Sequence, residues 1–353
     1  MVSEKEPFPI ICIGQMKAGT TWLYELFRYF TDIWRAPVKE LHFLDVYGQV
    51  GATTIDQRLN FDVNRGNQAF LGLSEAIWRP ELNALVDQFD ALKGYPLCEA
   101  TITELKWWRV FLFGDRDWSW YDELFRWPSP KSFVDITPTY DACPDEIISL
   151  LSQKMPHVRI IFLLRNPLSR LVSHFCWGNK HKEPVAKLIS DWKLFQKLLN
   201  GRDVDYGVRC SFEGMLAHSS SNENLKKWVN HIPENRIFVG FLDDIVNHQD
   251  EFISSLADFL VSGFVLPSGG FLPPVNSTDK PVQVDSRVIE WLADWSEREA
   301  RALNHYFGVL PQWWAQDIAR LRGTLGNNIM EWDYKGFAPP NLPFSSGVLS
   351  YRT

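Results

Sequence analysis

The opening segment of the chain is the feature that most restricts its fold. An unbroken apolar run at residues 8–13 ends at Gly14, and a glycine-containing loop leads to a segment, 21–30, with apolar residues at helical spacing. A continuous apolar run is typical of a strand that is buried on both faces of a parallel sheet. Strand, glycine loop and helix in this order predict the first unit of a nucleotide-binding α/β fold.

Later segments continue the alternation of strands and helices. Short apolar runs at 133–134, 159–164 and 236–240 predict further strands. The helical patterns that separate or follow these runs lie at residues 145–154, 167–175, 222–231, 249–260 and 284–307. This alternation predicts an α/β fold with a P-loop-like parallel sheet that is flanked by helices on both faces.

We interpret residues 1–353 as a single domain, because the chain contains no convincing linker. The core is expected at about 8–45 and 131–307, which is long enough to bury a large hydrophobic interior. Residues 46–130 are interpreted as a Trp-rich insertion of helices and loops, and 308–353 as a C-terminal extension.

Composition excludes several classes of protein. The chain has 36 basic and 43 acidic residues, a net charge of −7, which argues against a general nucleic-acid binder. Its 5 cysteines are scattered without a CxxC pair, which fits a reducing compartment. No apolar run approaches the roughly 18 to 20 residues that a membrane-spanning helix needs. We therefore expect a cytoplasmic protein without stable membrane insertion, and no residue spacing predicts a metal site.

The loop after the first strand is a phosphate-binding pattern with a displaced lysine. Gly14 and Gly19 have the separation of the GxxxxGK[ST] pattern, but Thr20 stands at its lysine position and the lysine is Lys17. Backbone amides at a helix start, together with hydroxyls and the Lys17 charge, can still hold an anionic group. A P-loop kinase or NTPase is the alternative, and it would need a carboxylate for Mg²⁺, which Asp135 could supply.

Two motifs resemble those of sulfotransferases that use 3′-phosphoadenosine 5′-phosphosulfate (PAPS). The string at 17–22 resembles the 5′-phosphosulfate loop of that family. The string at 165–173 is similar to its 3′-phosphate motif, in which a strand ends in Arg, Pro follows, and Ser comes eight residues after the Arg. The resemblance implies PAPS as sulfuryl donor, bound by Lys17, Ala18, Gly19, Thr20, Thr21, Trp22, Arg165, Ser173 and, in a late loop, Lys280.

A third segment, residues 39–45, bears on the acceptor. If it is extended, Glu40 and His42 point to one face, as in an amphipathic edge strand with solvated charges. The segment resembles the KExHFFD string of the heparan-sulfate-type branch of the family. That resemblance implies that Glu40 is the catalytic base and that His42 and Asp45 support it, with His42 as the alternative base.

The string at residues 135–140 resembles the EKSPAYF string that lies beside the acceptor in the same branch. By position, the resemblance implies that Thr137 and Tyr140 bind the acceptor together with Glu40 and its neighbours. Ile136 replaces a substrate-binding lysine of that branch. This departure and the negative net charge disfavour a highly sulfated polysaccharide as acceptor.

These resemblances predict a PAPS-dependent O-sulfotransferase that works by in-line displacement, with Lys17, Glu40 and His42 as catalytic residues. A non-catalytic nucleotide-binding protein is a second alternative. The acceptor is expected to be a small molecule, a lipid-like alcohol or a glycan, and the Trp-rich insertion to form part of its wall, with plain core as the other interpretation. Isolated histidines are interpreted as surface or helix-end residues: His157, His218, His231 and His305.

Overall fold

The computed structural model describes residues 7–36, 38–47, 106–111, 114, 115, 117–126, 131–179, 189–200, 206–265, 282–307, 314, 316, 318, 319, 329–332 and 346–348. Lys280, which is predicted to bind the sulfuryl donor, lies outside the described residues. So do residues 48–105 of the insertion and most of the C-terminal extension.

A mixed sheet, most of it parallel, forms the centre of the fold. The strands are β1 (Ile10–Gly14), β2 (Ile33–Arg35), β3 (Ser132–Ile136), β4 (Arg159–Leu164), β5 (Ile237–Phe241), β6 (Val282–Asp285), β7 (Ile329–Trp332) and β8 (Gly347–Val348). Within the described residues, 6 strands form one sheet in the order β2-β3-β1-β4-β5-β8, and β6 pairs with β7 separately. In the large sheet β8 is antiparallel to β5 and the other neighbours are parallel. The predicted α/β class is confirmed.

Helices connect the strands much as the sequence predicts. They are α1 (Thr20–Leu26), α2 (Leu44–Tyr47), α3 (Trp118–Arg126), α4 (Asp145–Lys154), α5 (Pro167–Asn179), α6 (Trp192–Leu199), α7 (Tyr206–Ala217), α8 (Ser221–His231), α9 (Leu242–Asn247), α10 (Gln249–Leu260) and α11 (Ser286–Phe307). A 3₁₀ helix, Pro138–Ala142, follows β3. The predicted bounds of α4 and α10 are confirmed residue for residue.

The apolar run of β1 serves two cores, one on each face of the sheet. Ile11 and Ile13 join a cluster with α4 and α8, whereas Ile10 and Cys12 join a second cluster with α1 and α10. Successive side chains of a strand point to opposite faces, so a strand that is covered on both faces has no polar positions. The apolar run at β1 is continuous because both faces of this strand are covered.

The described tryptophans of the insertion pack into the core. Trp107, Trp108 and Trp120 are buried in the cluster on the α4 side of the sheet. Trp107 stacks on Phe111 with 5.0 Å between ring centroids. These three residues therefore match the interpretation of the aromatic-rich segment as core. The placement of the insertion beside the acceptor stays a prediction.

The strand order positions the site. β1 lies between β3 and β4, and all three are parallel, so the segments that follow them meet at one edge of the sheet. In open α/β sheets, ligands bind in the crevice outside the carboxyl ends of the strands, where the strand order reverses. The glycine loop lies at this place.

Candidate active site

The loop between β1 and α1 turns sharply through residues with positive φ. Gly14, Lys17 and Gly19 have φ of 136°, 68° and 94°. A Cβ at Gly14 would lie 2.6 Å from the carbonyl oxygen of Pro138 and 3.2 Å from Cβ of Asp141, so this position requires glycine. The close approach fixes the start of the loop against the 3₁₀ helix that follows β3.

Two arginines hold the loop from the β4 side. Nη1 of Arg165, just after β4, donates to the carbonyl oxygen of Lys17 at 2.9 Å. Nη1 of Arg170, on α5, donates to the carbonyl oxygen of Met16 at 3.1 Å. Ser173 is buried on the same helix. The two motifs of the sequence thus come together at one edge of the sheet, although about 150 residues separate them along the chain.

The remaining residues that are predicted to bind the sulfuryl donor differ in their exposure to solvent. Ala18 and Thr20 are buried, and Thr21 is half-buried. Trp22 is buried as well, and its ring meets that of Phe252 edge to face with 5.8 Å between centroids. The Trp22 ring is therefore part of the core between α1 and α10, and its contact with the donor stays a prediction.

The segment around Glu40 is irregular and not an extended strand, so that expectation is wrong. Glu40 and His42 have φ of 66° and 53°, in the left-handed region. The alternation of burial is nevertheless present, because Leu41 and Phe43 are buried while Glu40 and His42 are half-buried. The backbone N–H of Glu40 donates to the carbonyl oxygen of Ile136 at 3.1 Å, which ties the segment to the end of β3.

The imidazole of His42 lies between two carboxylates. Its Nδ1 is 2.7 Å from Oδ2 of Asp45, and its Nε2 is 3.5 Å from Oε2 of Glu40. The Thr139 hydroxyl donates to the same Asp45 oxygen at 2.5 Å. The ammonium group of Lys39 lies 2.6 Å from Oε1 of Glu40. These contacts form a continuous chain of charged groups along one half-buried side of the segment.

These neighbours lower the pKa values of both carboxylates. Burial by itself would raise the pKa of Glu40, but the hydrogen bond with His42 and the charge of Lys39 outweigh it, so the net shift is downward. Asp45 behaves in the same way, since the hydrogen bond and charge of His42 outweigh burial and lower its pKa. Both groups are therefore carboxylates at neutral pH.

A buried carboxylate, Asp135, lies beneath the segment and binds three hydroxyl groups. Thr137 donates to its Oδ1 at 2.7 Å, and Tyr121 and Tyr140 donate to its Oδ2 at 2.9 and 3.0 Å. The Tyr140 oxygen in turn accepts the backbone N–H of Phe43 at 2.7 Å. Burial raises the pKa of Asp135 in spite of these bonds.

Thr137 and Tyr140 are therefore placed below the Glu40 segment. Both are fully buried, and both hydroxyls bind Asp135. Their direct contact with an acceptor stays a prediction; in the structure, Tyr140 bonds to the backbone of the segment and Thr137 bonds to Asp135 beneath it.

The geometry can now be compared with known proteins. The model of the sulfotransferase domain family matches residues 7–264, which is well over half of the chain and includes the loop, the Glu40 segment and the Arg165 motif. The chain belongs to the sulfotransferase family.

One of two similar solved structures supports the fold of this sulfotransferase. A sulfotransferase from Alicyclobacillus acidocaldarius is 13% identical, with a TM-score of 0.53, over 88% of this chain and 99% of that one. The sulfotransferase domain from the Synechococcus PCC 7002 olefin synthase is 18% identical with a TM-score of 0.42, over 92% of this chain and 96% of that one. No curated protein matches. At this identity the first similarity supports the fold alone.

His218 lies at the end of α7, as the sequence predicts, but its partner could not be predicted. His218, interpreted from the sequence as an isolated surface or helix-end residue, lies with its Nδ1 2.6 Å from Oδ1 of the buried Asp141. The two are 77 positions apart, so no local pattern could reveal the pair. Among the described residues of the sulfotransferase, no cluster of His, Cys, Asp and Glu could hold a metal ion. In the same residues, no helix is long and apolar enough to cross a membrane.

Proposed function

We propose that this sulfotransferase moves the sulfuryl group of PAPS to a hydroxyl of its acceptor. The observation that carries the proposal is the 2.9 Å hydrogen bond from Arg165 to the Lys17 carbonyl oxygen, because it joins the two motifs assigned to the donor's phosphates. The Glu40 segment is bound to the end of β3, the strand next to β1, so the proposed base lies on the same edge of the sheet.

The chemistry of the loop fits such a donor. Lys17 provides a point charge, Arg165 a planar fork of N–H donors, and the loop residues provide backbone amides; together these are suitable partners for phosphate oxygens. Thr20 and Thr21 add hydroxyl donors. Bound there, the donor would supply the sulfuryl group and a 5′-phosphate as leaving group.

The residues of the chain would then act as follows. Glu40 accepts the acceptor's hydroxyl proton while the new sulfur–oxygen bond forms and the bond to the 5′-phosphate breaks. Lys17 and the loop amides stabilise the negative charge that grows on the leaving oxygen, as preorganised donors do in other group transfers. His42 holds the Glu40 side chain and, being 3.5 Å away, can share the proton that Glu40 receives. The products are a sulfate ester and 3′-phosphoadenosine 5′-phosphate.

The acceptor class follows from what lies near the base. Ile136, at the position of a substrate lysine in the heparan-sulfate-type branch, is buried in the core cluster with α1. The side chains on the half-buried side of the segment include the carboxylates of Glu40 and Asp45. We therefore propose a neutral or cationic acceptor, such as a small alcohol, a lipid-like alcohol or an uncharged glycan, and not a polyanion.

The environment of Asp135 argues against the alternative of a P-loop kinase. The carboxylate that would have to hold Mg²⁺ is fully buried, and both of its oxygens accept hydrogen bonds from hydroxyls. No oxygen of this residue is therefore presented to the loop as a ligand.

Calorimetric titration with 3′-phosphoadenosine 5′-phosphate in the presence of EDTA tests the donor. Tight, metal-independent binding is expected, and Arg165→Ala should weaken it by roughly 10- to 100-fold, as loss of a charged hydrogen-bonding group does. Arg126→Ala, at an exposed arginine on α3, serves as the control. Binding of ATP that requires Mg²⁺ would contradict the proposal. Transfer of radiolabelled sulfate to a panel of neutral and cationic alcohols tests the reaction itself.

A further inference from the structure

A second polar group of residues lies against the loop on the side of the 3₁₀ helix after β3. It consists of Gln15, Asp141, Arg170 and His218, of which the first three are fully buried. The mechanism proposed above uses none of these side chains. Several of their contacts involve the first residues of the loop, the end of α7 or the turn that follows it.

Asp141 is the centre of this group. A Cβ added at Gly14 would lie 3.2 Å from the Cβ of Asp141. The Asp141 side chain is therefore packed against the first residue of the loop. Oδ1 receives the hydrogen bond of His218 Nδ1 at 2.6 Å, whereas Oδ2 is buried without a hydrogen-bond partner among the described residues. Burial raises the pKa of Asp141, while the charges of His218 and Arg170 oppose that shift.

The turn after α7 is bound to the next two loop residues. Nε2 of Gln15 donates to the carbonyl oxygen of His218 at 3.1 Å and to the hydroxyl of Ser221 at 2.5 Å. Arg170, which donates to the Met16 carbonyl oxygen, also donates to the carbonyl oxygen of Met215 at 3.0 Å. His218 therefore contacts the loop twice, through its ring by way of Asp141 and through its backbone by way of Gln15.

We infer that His218 is a positioning residue for the donor-binding loop. Its ring holds Asp141 in place against Gly14, and its carbonyl oxygen holds Gln15, so that the amides of the following residues keep the curvature that anion binding requires. Without the ring, the buried Asp141 carboxylate would lose its only side-chain hydrogen bond among the described residues and keep the backbone N–H of Ala142, so we expect it to move. Because Asp141 touches Gly14, this movement would reach the loop. The inference rests on the proposed function, which assigns this loop to the donor.

The experiment compares three substitutions. His218→Phe keeps an aromatic ring but removes the hydrogen bond to Asp141. His218→Asn places an amide N–H near the position of Nδ1 and can restore the bond. His231→Phe is the matched control, because His231 also pairs with an aspartate, Asp145, at 3.1 Å, but this pair is more exposed and neither residue contacts the loop.

Two measurements apply to each variant. The first is hydrogen–deuterium exchange of the peptide covering residues 14–22 without nucleotide. The second is calorimetric affinity for 3′-phosphoadenosine 5′-phosphate, supplemented by the donor and acceptor KM values. In His218→Phe we expect faster exchange of this peptide, affinity for the nucleotide lowered about tenfold and a raised donor KM with unchanged acceptor KM. His218→Asn should recover most of the affinity, and His231→Phe should match the unaltered protein.

Normal exchange and affinity in His218→Phe would overturn the inference. An equal loss in His218→Asn and His218→Phe would overturn it as well, because the hydrogen bond would then not be the cause. If the unaltered protein fails to bind the nucleotide while His218→Phe still loosens the loop peptide, the proposed donor is wrong and the role of His218 in the loop stands.

Discussion

Two pairs of histidine and aspartate involve the 3₁₀ helix after β3, and they differ in their burial. His42–Asp45 and His218–Asp141 have almost the same Nδ1–carboxylate distances, 2.7 and 2.6 Å. The Asp45 side chain is 19% exposed, while that of Asp141 is fully buried. Part of the Asp45 side chain can be reached by a ligand or a proton from solvent, whereas Asp141 is enclosed by its neighbours. We therefore expect the first pair to take part in the chemistry and the second pair to support the loop.

The largest effect is expected from the base beside the first pair. Glu40→Gln removes the proton acceptor but keeps the shape of the side chain, so turnover should fall by about 10²- to 10⁴-fold. Nucleotide affinity should not change, because Glu40 is not part of the loop. Sulfate-transfer assays with parallel calorimetry measure both, and His42→Asn tests the alternative base. If Glu40→Gln is fully active and His42→Asn is not, His42 is the base.

The second prediction concerns stability and separates the two pairs. Asp141→Ala removes a fully buried side chain that packs against Gly14 and accepts the hydrogen bond of His218, so the free energy of unfolding should fall by about 2 to 3 kcal/mol. Asp45→Ala removes a carboxylate with access to water and should cost about 1 kcal/mol. Urea denaturation at neutral pH measures both variants. Equal losses would mean that burial does not distinguish the pairs.

A third prediction tests how the first pair is held in place. Tyr140→Phe deletes the hydroxyl that accepts the N–H of Phe43, so the Glu40 segment should loosen and kcat should fall about tenfold with unchanged donor affinity. Tyr121→Phe is the matched control, since it removes a hydrogen bond to the same Asp135 oxygen but leaves the Phe43 N–H bonded. A larger loss of kcat in Tyr121→Phe than in Tyr140→Phe would contradict this role.

The smallest effect is a difference in pH dependence between the two aspartates. The pKa of Asp45 is lowered in the fold, so its stabilisation is present above its unfolded value of about 3.9 and is lost as the pH falls through the lower folded value. The pKa of Asp141 is raised, so its contribution is present in acid and is lost as the pH rises through the raised value. Unfolding free energies between about pH 3 and 7, compared with Asp45→Asn and Asp141→Asn, should show slopes of opposite sign. Slopes of the same sign would contradict the assignment of the two environments.

The long strands and helices could be predicted because local patterns determine them. The apolar run of β4 and the helical spacing of α10 are complete within their own segments. β2 and β8 have only 3 and 2 residues, too few for a periodic pattern, and they exist because a longer strand is next to them. The conformation at Glu40 also depends on a neighbouring element. Its backbone N–H bonds to the end of β3, and no pattern within residues 39–45 could predict this contact.

The candidate site could be predicted where its residues share a motif, and its roles stay predictions. Lys17, Glu40 and Arg165 each belong to a string that is complete in itself, and the fold places their segments at one edge of the sheet. Asp141 and His218 belong to no shared string, since their pairing depends on how α7 packs beside the loop. The burial of Thr137 and Tyr140 could not be predicted either, because it depends on Asp135 and on Tyr121 from the insertion.

The hydrogen bond from Tyr121 to Asp135 joins the Trp-rich insertion to the residues that hold the Glu40 segment. Its α3 completes the hydrogen bonding of a buried carboxylate that also holds Tyr140 and, through it, the backbone next to His42. A chimera that exchanges residues 46–130 with the corresponding segment of another sulfotransferase keeps this hydrogen bond only if it has a hydroxyl at position 121. Substitutions in this segment that aim to change acceptor preference would therefore also change the hydrogen bonding of Asp135 if they replaced Tyr121.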